Sequence, residues 1–288
     1  MTQELLTADV LRLLDTSLDQ TQVERVARLL ALGSPEAVAV ENGTQLSGSQ
    51  EAYTNYLQQV GERGFRYTNI LDSQYPHLLR EVREAPGVIY TEGELQPEEV
   101  GVSIVGSREA TAEALDAAFQ LAGALAAHGV PVISGLARGI DTAAHMGALE
   151  ANGRTVAVVG TGLDVTYPPE NADLRNQIVS AGGLILSQFR IGAELQPRNF
   201  PMRNAVMSGY GTATIVMAAS EKSGTRHQVQ AAVKHGRPVI FTGKVATEVS
   251  WAREIMAKSQ GTSVRSLEEA IEVALETRRT RTVELSLF

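Results

Sequence analysis

Between residues 101 and 243, short apolar runs rich in β-branched residues alternate with longer Ala-rich stretches whose apolar positions recur every three to four residues. The runs predict strands at residues 102–105, 132–134, 155–159, 184–186, 214–217 and 239–241. The stretches predict helices at residues 113–128, 141–151, 172–180 and 228–235, with another after residue 201. Such alternation is typical of a parallel sheet whose right-handed crossovers place helices on both faces. We therefore expect an α/β fold with a doubly wound, mostly parallel sheet.

The N-terminal segment follows a different pattern. Apolar residues from Leu5 to Leu30 recur at helical spacing between polar ones, which predicts two or three short amphipathic helices. Residues 41–64 are mixed polar, with Gly43, Gly48 and Gly61 as expected breaks. We interpret residues 1–65 as a small helical N-terminal domain that acts as a cap or an interaction module, 66–245 as the core, and 246–288 as a helical extension with a charged tail at residues 278–281.

Composition narrows the class of protein. Hydrophobic residues make up 43% and charged residues 20% of the 288 positions, as in ordinary globular proteins. The absence of cysteine excludes a disulfide scaffold, a cysteine nucleophile and a thiolate metal site. No apolar run is long enough to span a membrane and no signal peptide is indicated, so we expect a cytoplasmic protein without membrane partners.

The formal charge of -8 argues at first against nucleic acid, because phosphate binding requires Lys and Arg. The charge is unevenly distributed, however. Residues 1–100 hold 16 acidic and 7 basic residues, whereas residues 101–245 hold 10 acidic and 12 basic ones. An acidic protein can therefore still carry a basic face. We expect the acidic first third to lie away from that face or to meet a basic partner.

The loops that follow the predicted strands carry the candidate chemistry. Glycine allows close approach of the backbone to an anion, a helix start offers free N–H groups, and Ser or Thr adds hydroxyl donors. Arg108, Arg138 and Arg226 stand in three such loops, so we expect them to converge on a crevice beyond the carboxyl ends of the strands. The candidate DNA- or phosphate-binding residues are Gly106, Ser107, Arg108, Gly135, Arg138, Gly139, Gly160, Thr161, Gly162, Arg203, Lys222, Ser223, Gly224, Thr225 and Arg226.

We interpret two residues of the helix after the second loop, Asp141 and His145, as structural rather than as catalytic or metal-binding. Asp141 stands where the predicted helix needs an N-cap, so capping is favoured over a catalytic function. His145 lies four residues later on an Ala-rich helix, and we interpret it as a hydrogen-bonded core histidine. No third carboxylate or histidine nearby completes a metal site, so no metal is expected.

Several common ligands and reactions of this fold lack their motifs. The first turn reads Gly106-Ser107-Arg108 rather than G-x-G-x-x-G, which disfavours a dinucleotide cofactor. Neither a P-loop nor a G-x-S-x-G elbow is present. The sequence offers no obvious nucleophile, and we expect no cofactor and no catalytic residues.

The order of these segments resembles the bacterial DNA-processing protein A family, also called Smf. The resemblance covers about residues 70 to 245, with weaker similarity at residues 262–270. Its blocks are residues 72–79, 85–90, 103–108, 133–141 with Ala144 and His145, 160–164 with Tyr167-Pro168, Phe200-Pro201 with Arg203-Asn204, 223–225 and 236–239.

This resemblance implies a Rossmann-like core that binds single-stranded DNA, protects it and helps to load the recombinase RecA onto it during DNA uptake and recombination. It also implies a homodimer. The family's DNA-contacting positions correspond to Arg108 and Arg138, and Arg138 stands where family members often have Lys. Arginine keeps the positive charge and adds a planar group that stacks on bases.

The sequence departs from the family at several loop positions. Gln188 replaces a usual Glu, Ala205 replaces the second Arg of Arg-Asn-Arg, and the Ser-Gly-Ser loop reads Ser223-Gly224-Thr225. These departures leave a second hypothesis open, which is a sensor or hydrolase of a nucleotide-derived small molecule with a lysine-decarboxylase-like core. Such phosphoribohydrolases resemble this fold but carry Glu where this chain has Gln228, which disfavours hydrolysis.

Overall fold

The computed structural model describes residues 2–285. Its N-terminal part contains four helices, α1 (Gln3–Asp15), α2 (Gln22–Leu32), α3 (Pro35–Glu41) and α4 (Gln50–Glu62). Each follows a Ser or Thr whose side-chain oxygen accepts a hydrogen bond from the first turn. The helical periodicity predicted for the N-terminal segment is confirmed by α1 and α2. Gly61 lies within α4 and does not break it.

Nine strands of the described chain form one sheet. They are β1 (Arg66–Asn69), β2 (Val88–Gly93), β3 (Gly101–Gly106), β4 (Val132–Ser134), β5 (Thr155–Val158), β6 (Leu184–Ser187), β7 (Gly211–Ala218), β8 (Val239–Thr242) and β9 (Thr262–Val264). Their order across the sheet is β1-β2-β6-β5-β4-β3-β7-β8-β9. The pairs from β6 to β9 are parallel, and only β1 with β2 and β2 with β6 pair antiparallel. The mostly parallel α/β fold and its six predicted strands are confirmed.

The helices after β1 connect and cover the strands. They are α5 (His77–Arg80), α6 (Ala112–Ala127), α7 (Ile140–Glu150), α8 (Ala172–Ser180), α9 (Asn199–Tyr210), α10 (Thr225–Lys234), α11 (Gly243–Glu248), α12 (Ser250–Ala257) and α13 (Leu267–Leu285). The five helices predicted between the strands correspond to α6 to α10. Helix α10 begins earlier than predicted because its first turn contains the polar run Thr225, Arg226 and His227.

Buried side chains on the two faces of the sheet form two separate hydrophobic clusters. Alternate residues of one strand point to opposite faces, so Val105 joins one cluster and Ile104 the other. Helices α6, α7 and α13 cover the Ile104 face, whereas α8, α9, α10 and the N-terminal helices cover the Val105 face. The sheet thus has helices on both sides, as doubly wound folds do.

The strand order reverses between β4 and β7. The chain adds β4, β5 and β6 on one side of β3 and then crosses over to place β7 on the other side. Such a switch point opens a crevice at the carboxyl ends of the strands, because neighbouring loops turn in opposite directions. The loops after β3, β4, β5 and β7 meet at this crevice.

Several acidic residues of the first hundred positions form ion pairs with basic residues later in the chain. Asp15 pairs with Arg190 at 2.8 Å, and Glu92 pairs with the buried Arg175. Further pairs of this kind join Glu81 to Arg237 and Arg281, Glu84 to Lys234 and His235, and Glu99 to Arg154. Several acids of the first hundred residues are therefore paired within the same chain, and the Asp15–Arg190 pair joins the N-terminal helices to the core. The residues expected to form a charged tail belong to α13, where Arg278 donates to the Val100 carbonyl oxygen.

None of the helices within residues 2–285 combines the length and the apolar character that a membrane span requires.

Candidate functional site

Two adjoining pockets occupy the crevice at the switch point. The larger one, about 330 Å³, lies between the loop after β3, the loop after β7 and the first turns of α9 and α10. The smaller one, about 50 Å³, lies among the loops after β3, β4 and β5 and the start of α9. Arg108, Ala137, Phe200 and Arg203 line both pockets. The two pockets therefore form one cleft with Arg108 at their junction.

The cleft brings together most of the residues that the sequence singled out. Eleven of the fifteen candidates line one or both pockets, namely Gly106, Ser107, Arg108, Gly135, Arg138, Gly160, Thr161, Arg203, Ser223, Gly224 and Thr225. They come from four loops that follow strands and from the first turns of α9 and α10. Their convergence follows from the parallel strand order, since the carboxyl ends of parallel strands share one edge of the sheet.

Four candidates line neither pocket. Gly139 packs against the first loop, where an added Cβ would lie 2.4 Å from the Ser107 carbonyl oxygen. Gly162 packs against the Arg190 backbone in the same manner. Lys222 and Arg226 are exposed beside the larger pocket rather than within it. The two glycines thus permit contact between loops, and the two cations add positive charge at the rim.

The second loop uses its own backbone N–H groups for internal hydrogen bonds. The Asp141 carboxylate accepts from the N–H groups of Gly135 (3.1 Å) and Ala137 (3.4 Å). Between them, the N–H of Leu136 donates to Nε2 of His145 at 3.3 Å, and Leu136 adopts a left-handed φ of 56°. These three N–H groups are therefore occupied within the protein, and the loop offers its side chains to a ligand.

The environment of Asp141 and His145 sets their protonation. Burial raises the pKa of Asp141, although the nearby Arg203 lowers it in part. Burial lowers the pKa of His145 to about 3, so this imidazole is neutral at physiological pH. Its Nδ1 lies 2.7 Å from the Thr155 hydroxyl. The interpretation of His145 as a hydrogen-bonded core residue is confirmed, whereas the capping interpretation of Asp141 is wrong, because Gly139 is the N-cap of α7.

Arg203 joins the second loop to the sheet. It is buried, and its Nη1 donates to the carbonyl oxygens of Gly135 (2.5 Å) and Val158 (2.7 Å). Gly135 is required here, since an added Cβ would lie 1.9 Å from Arg203 Nη1. Burial lowers the pKa of Arg203, and the Asp141 carboxylate opposes that shift. Arg203 therefore holds the loop in place and contributes positive charge between the two pockets.

The third loop supplies backbone donors. Gly160 and Thr161 line the smaller pocket, and among residues 2–285 no protein group accepts a hydrogen bond from either N–H. The Thr161 hydroxyl donates to the Val165 carbonyl oxygen at 2.8 Å, which fixes the turn. Backbone N–H groups beside arginine side chains form a typical binding site for an anion.

Arg138 reaches the smaller pocket from the second loop but forms an ion pair with Glu170. This pair raises the pKa of Arg138 and lowers that of Glu170, mainly through their hydrogen bond. Both side chains are largely exposed, at 65% and 46%. Exposed pairs of this kind contribute little free energy, so a phosphate can displace the carboxylate. The sequence did not indicate this pairing.

An aromatic surface lies at the junction of the pockets. The guanidinium carbon of Arg108 lies 5.2 Å from the centroid of the Phe200 ring, and the Tyr167 ring lies 5.8 Å from Phe200, centroid to centroid. Tyr167 is 40% exposed. Aromatic residues make up only 5% of the chain, and the site places two of them beside Arg108. Their positions in the Tyr167-Pro168 and Phe200-Pro201 pairs were the available signal.

Within the part of the chain that the structure describes, no group of three or more His, Cys, Asp or Glu side chains is arranged to hold a metal ion. The polar groups of the cleft are instead mainly hydroxyls, carboxamides, guanidinium groups and backbone N–H groups. This set suits an anionic, hydrogen-bonding ligand.

The fold and the cleft define a Rossmann-like protein with an arginine-lined site at the switch point of its sheet. Residues 66–274 match the family model of DNA recombination-mediator protein A, and the chain belongs to this family of DNA-processing proteins. It is 38% identical over 205 residues to protein Smf of Synechocystis sp., and the aligned region covers 69% of this chain and 51% of the Synechocystis protein. It is 38% identical over 175 residues to the DNA processing protein DprA of Streptococcus pneumoniae, and the aligned region covers 59% of this chain and 60% of that protein.

Solved structures agree with this assignment. The structure of DNA processing protein A from Streptococcus pneumoniae superposes with a TM-score of 0.74 at 27% identity and covers 92% of this chain and 97% of that one. A second structure is that of DNA processing protein A from Helicobacter pylori, which is described for its single-stranded DNA binding mode. It gives a TM-score of 0.65 at 25% identity, and the superposition covers 74% of this chain and 97% of that one. The chain spans about half to three-fifths of the length of the curated relatives named above.

Proposed function

We propose that this protein binds single-stranded DNA in the two-pocket cleft without catalysing a reaction. The observation that carries the proposal is the convergence of Arg108, Arg138 and the free N–H groups of Gly160 and Thr161 around a pocket of phosphate size. A strand that places one phosphate there meets two cations and two backbone donors. The similarity to the Helicobacter pylori protein, which is described for its single-stranded DNA binding mode, supports this ligand.

The rim of the cleft favours a single strand over a duplex. Phe200, Tyr167 and the Arg108 guanidinium present planar groups on which unpaired bases stack. A duplex keeps its bases stacked on each other, so these groups would remain unused. Lys222 and Arg226 extend the positive charge along the same edge. By its family, we further propose that the protein is cytoplasmic, acts as a homodimer and passes the bound strand to the recombinase RecA.

Two features support binding without hydrolysis. The position that carries a glutamate in phosphoribohydrolases is Gln228, whose amide cannot act as a carboxylate. The buried Asp141 carboxylate accepts two backbone hydrogen bonds and has a raised pKa, which suits loop positioning better than attack on a substrate. Incubation with a panel of nucleoside monophosphates tests this part of the proposal, since release of free base would overturn it.

The binding test is a titration of the purified protein with labelled oligo-dT and with duplex DNA of equal length, at several salt concentrations. We expect tighter binding of the single strand. Each phosphate contact contributes about -0.7 to the slope of log K against log salt for single strands. Two to four contacts therefore predict a slope of about -1.5 to -3. Equal binding of duplex, or no binding of oligo-dT at low salt, would reject single-stranded DNA as the ligand.

A further inference from the structure

The side chain of Arg190 connects the N-terminal helices to the core. Its guanidinium carbon lies 5.7 Å from the centroid of the Tyr53 ring and 5.9 Å from that of Tyr56, both on α4. Its Nη1 donates to the carboxylate of Asp15, the last residue of α1, at 2.8 Å, and the Tyr53 hydroxyl donates to the same carboxylate at 2.7 Å. The Tyr56 hydroxyl accepts from the backbone N–H of Ile191 at 3.1 Å. The N-terminal helices thus contact both the Arg190 side chain and the backbone beside it.

Arg190 belongs to the β6–α9 loop (residues 188–198), which packs against the third loop of the cleft. Gly162 of the third loop fits there because it lacks a side chain, since an added Cβ would lie 2.4 Å from the Arg190 carbonyl oxygen. Two residues further on, the N–H of Gly192 donates to the carboxylate of Asp164 at 2.9 Å. The segment 190–192 therefore contacts both the N-terminal helices and the third loop.

Asn199 links the end of the β6–α9 loop to the smaller pocket. This buried residue begins α9, and its amide nitrogen donates to the carbonyl oxygens of Gly160 (3.1 Å) and Glu194 (3.3 Å). Gly160 and Thr161 line the smaller pocket and supply its backbone donors. Hydrogen bonds weaken steeply when the donor direction changes, so a shift of this loop by about one ångström is enough to impair anion binding.

Within the described residues 3–62, none of the residues of α1 to α4 lines either pocket. From the contacts above we propose that Arg190 is a positioning residue, held by α1 and α4, and that the loop that carries it aligns the third loop for a phosphate. This inference rests on the proposed binding of single-stranded DNA. It gives the N-terminal helices a function in DNA affinity that requires no contact with the strand.

The first test uses the sign of a charge effect. Asp15→Ala removes a negative charge, which by electrostatics alone would tighten DNA binding. Because it also releases Arg190, we expect oligo-dT binding to weaken about 3- to 10-fold, as for residues that act on a site through others. The matched control is Asp19→Ala, which removes an exposed acid of the same N-terminal region and should not weaken binding. Equal affinities of the two variants would overturn the proposal, whereas a wild-type protein that does not bind oligo-dT would reject the proposed function itself.

The second test separates positioning from direct contact with DNA. Arg190→Met should weaken binding to a similar extent without a change in the salt slope. If Arg190 instead contacts a phosphate, the magnitude of the slope falls by about 0.7, and the proposal is wrong. Tyr56→Phe leaves the charge unchanged and removes the acceptor of the Ile191 N–H, so we expect it to weaken binding as well. Tyr67→Phe, which removes a hydroxyl on β1, is its control and should bind as the wild type does.

Hydrogen exchange of the free proteins tests the connection without DNA. We expect Asp15→Ala and Tyr56→Phe to exchange faster than the wild type in residues 160–166 and 188–198, and Asp19→Ala to exchange at the wild-type rate. Wild-type exchange in the rest of the core verifies that each variant folds. If Asp15→Ala does not fold, Tyr56→Phe decides the question. Unchanged exchange of both segments in the folded variants would overturn the positioning function of Arg190.

Discussion

The guanidinium group of Arg108 lies 5.2 Å above the ring of Phe200. Arg108 belongs to the loop after β3 and Phe200 to the first turn of α9, so the contact forms only when the sheet brings these elements together. It places a cation beside an aromatic ring at the junction of the two pockets. In the proposed complex, Arg108 contributes charge to the phosphate and Phe200 contributes a stacking surface.

These two contributions predict different effects of substitution. We expect Arg108→Gln to weaken oligo-dT binding and to reduce the magnitude of the salt slope by about 0.7, because one phosphate contact is lost. We expect Phe200→Leu to weaken binding by about 1–3 kcal/mol, the usual value for one base stacked on an aromatic ring, without a change in the slope. Anisotropy titrations at four salt concentrations measure both quantities.

Phe119→Leu serves as the control, because Phe119 lies on α6 away from both pockets. Its binding should equal that of the wild type. A salt slope altered by Phe200→Leu, or unaltered by Arg108→Gln, would contradict this division of functions.

The ion pair between Arg138 and Glu170 predicts opposite effects for its two members. Arg138→Glu should weaken binding of all single strands, whatever their sequence, because a phosphate contact becomes repulsive. Glu170→Gln should strengthen binding about two- to fivefold at low salt, since the phosphate no longer competes with a carboxylate for Arg138. The gain should shrink as salt is raised. Weaker binding by Glu170→Gln at low salt would show that the pair positions Arg138 rather than competing for it.

The hydrogen bonds of the Asp141 carboxylate predict that its removal lowers the stability of the folded protein. Asp141→Ala leaves the buried N–H of Gly135 and the partly buried N–H of Ala137 without acceptors, at a cost of about 2–4 kcal/mol in the free energy of unfolding. Urea denaturation followed by circular dichroism measures the change. Asp116→Ala, which removes an exposed carboxylate of α6, is the matched control and should change stability by less than about 0.5 kcal/mol. Equal stability of the two variants would mean that the loop does not depend on Asp141.

The low pKa of His145 predicts acid sensitivity. Burial lowers this pKa from 6.5 to about 3 in the folded protein. Between these values the unfolded chain binds a proton that the folded chain does not, so stability falls as the pH drops from 6.5 towards 3. The slope of this loss follows from the free energy of one protonation, about 1.4 kcal/mol for each pH unit.

His145→Gln removes this contribution. We therefore expect the stability difference between wild type and variant to shift by about 2 kcal/mol between pH 6.5 and pH 4.5, with the wild type losing more. Asp141 has a raised pKa, which acts in the opposite direction, but it is present in both proteins and largely cancels in the difference. A difference that does not depend on pH would disprove a neutral, buried His145.

The sequence alone was sufficient to predict the parallel core and the loops that form the cleft. Apolar spacing is a local property, so the alternation of strands and helices between residues 101 and 243 could be predicted without knowledge of long-range contacts. The strands β1 and β2 at one edge of the sheet were missed because Arg66–Asn69 is short and polar and both strands lie outside the alternating segment of residues 101–243. The sequence also placed Arg108 and Arg138 after strands whose carboxyl ends share one edge.

Only the tertiary structure showed what each loop contributes to the site. Asp141 and His145 accept hydrogen bonds from the N–H groups of Gly135, Leu136 and Ala137 in the second loop, whereas the Arg138 side chain of that loop lines the smaller pocket. Glu170 pairs with Arg138, and Phe200 packs under Arg108. The net charge likewise does not show that Asp15, Glu84, Glu92 and Glu99 are paired with basic residues later in the chain. Hydrogen bonds and ion pairs form between residues that are close in space. The spacing of residues along the chain does not show which residues come close in this way.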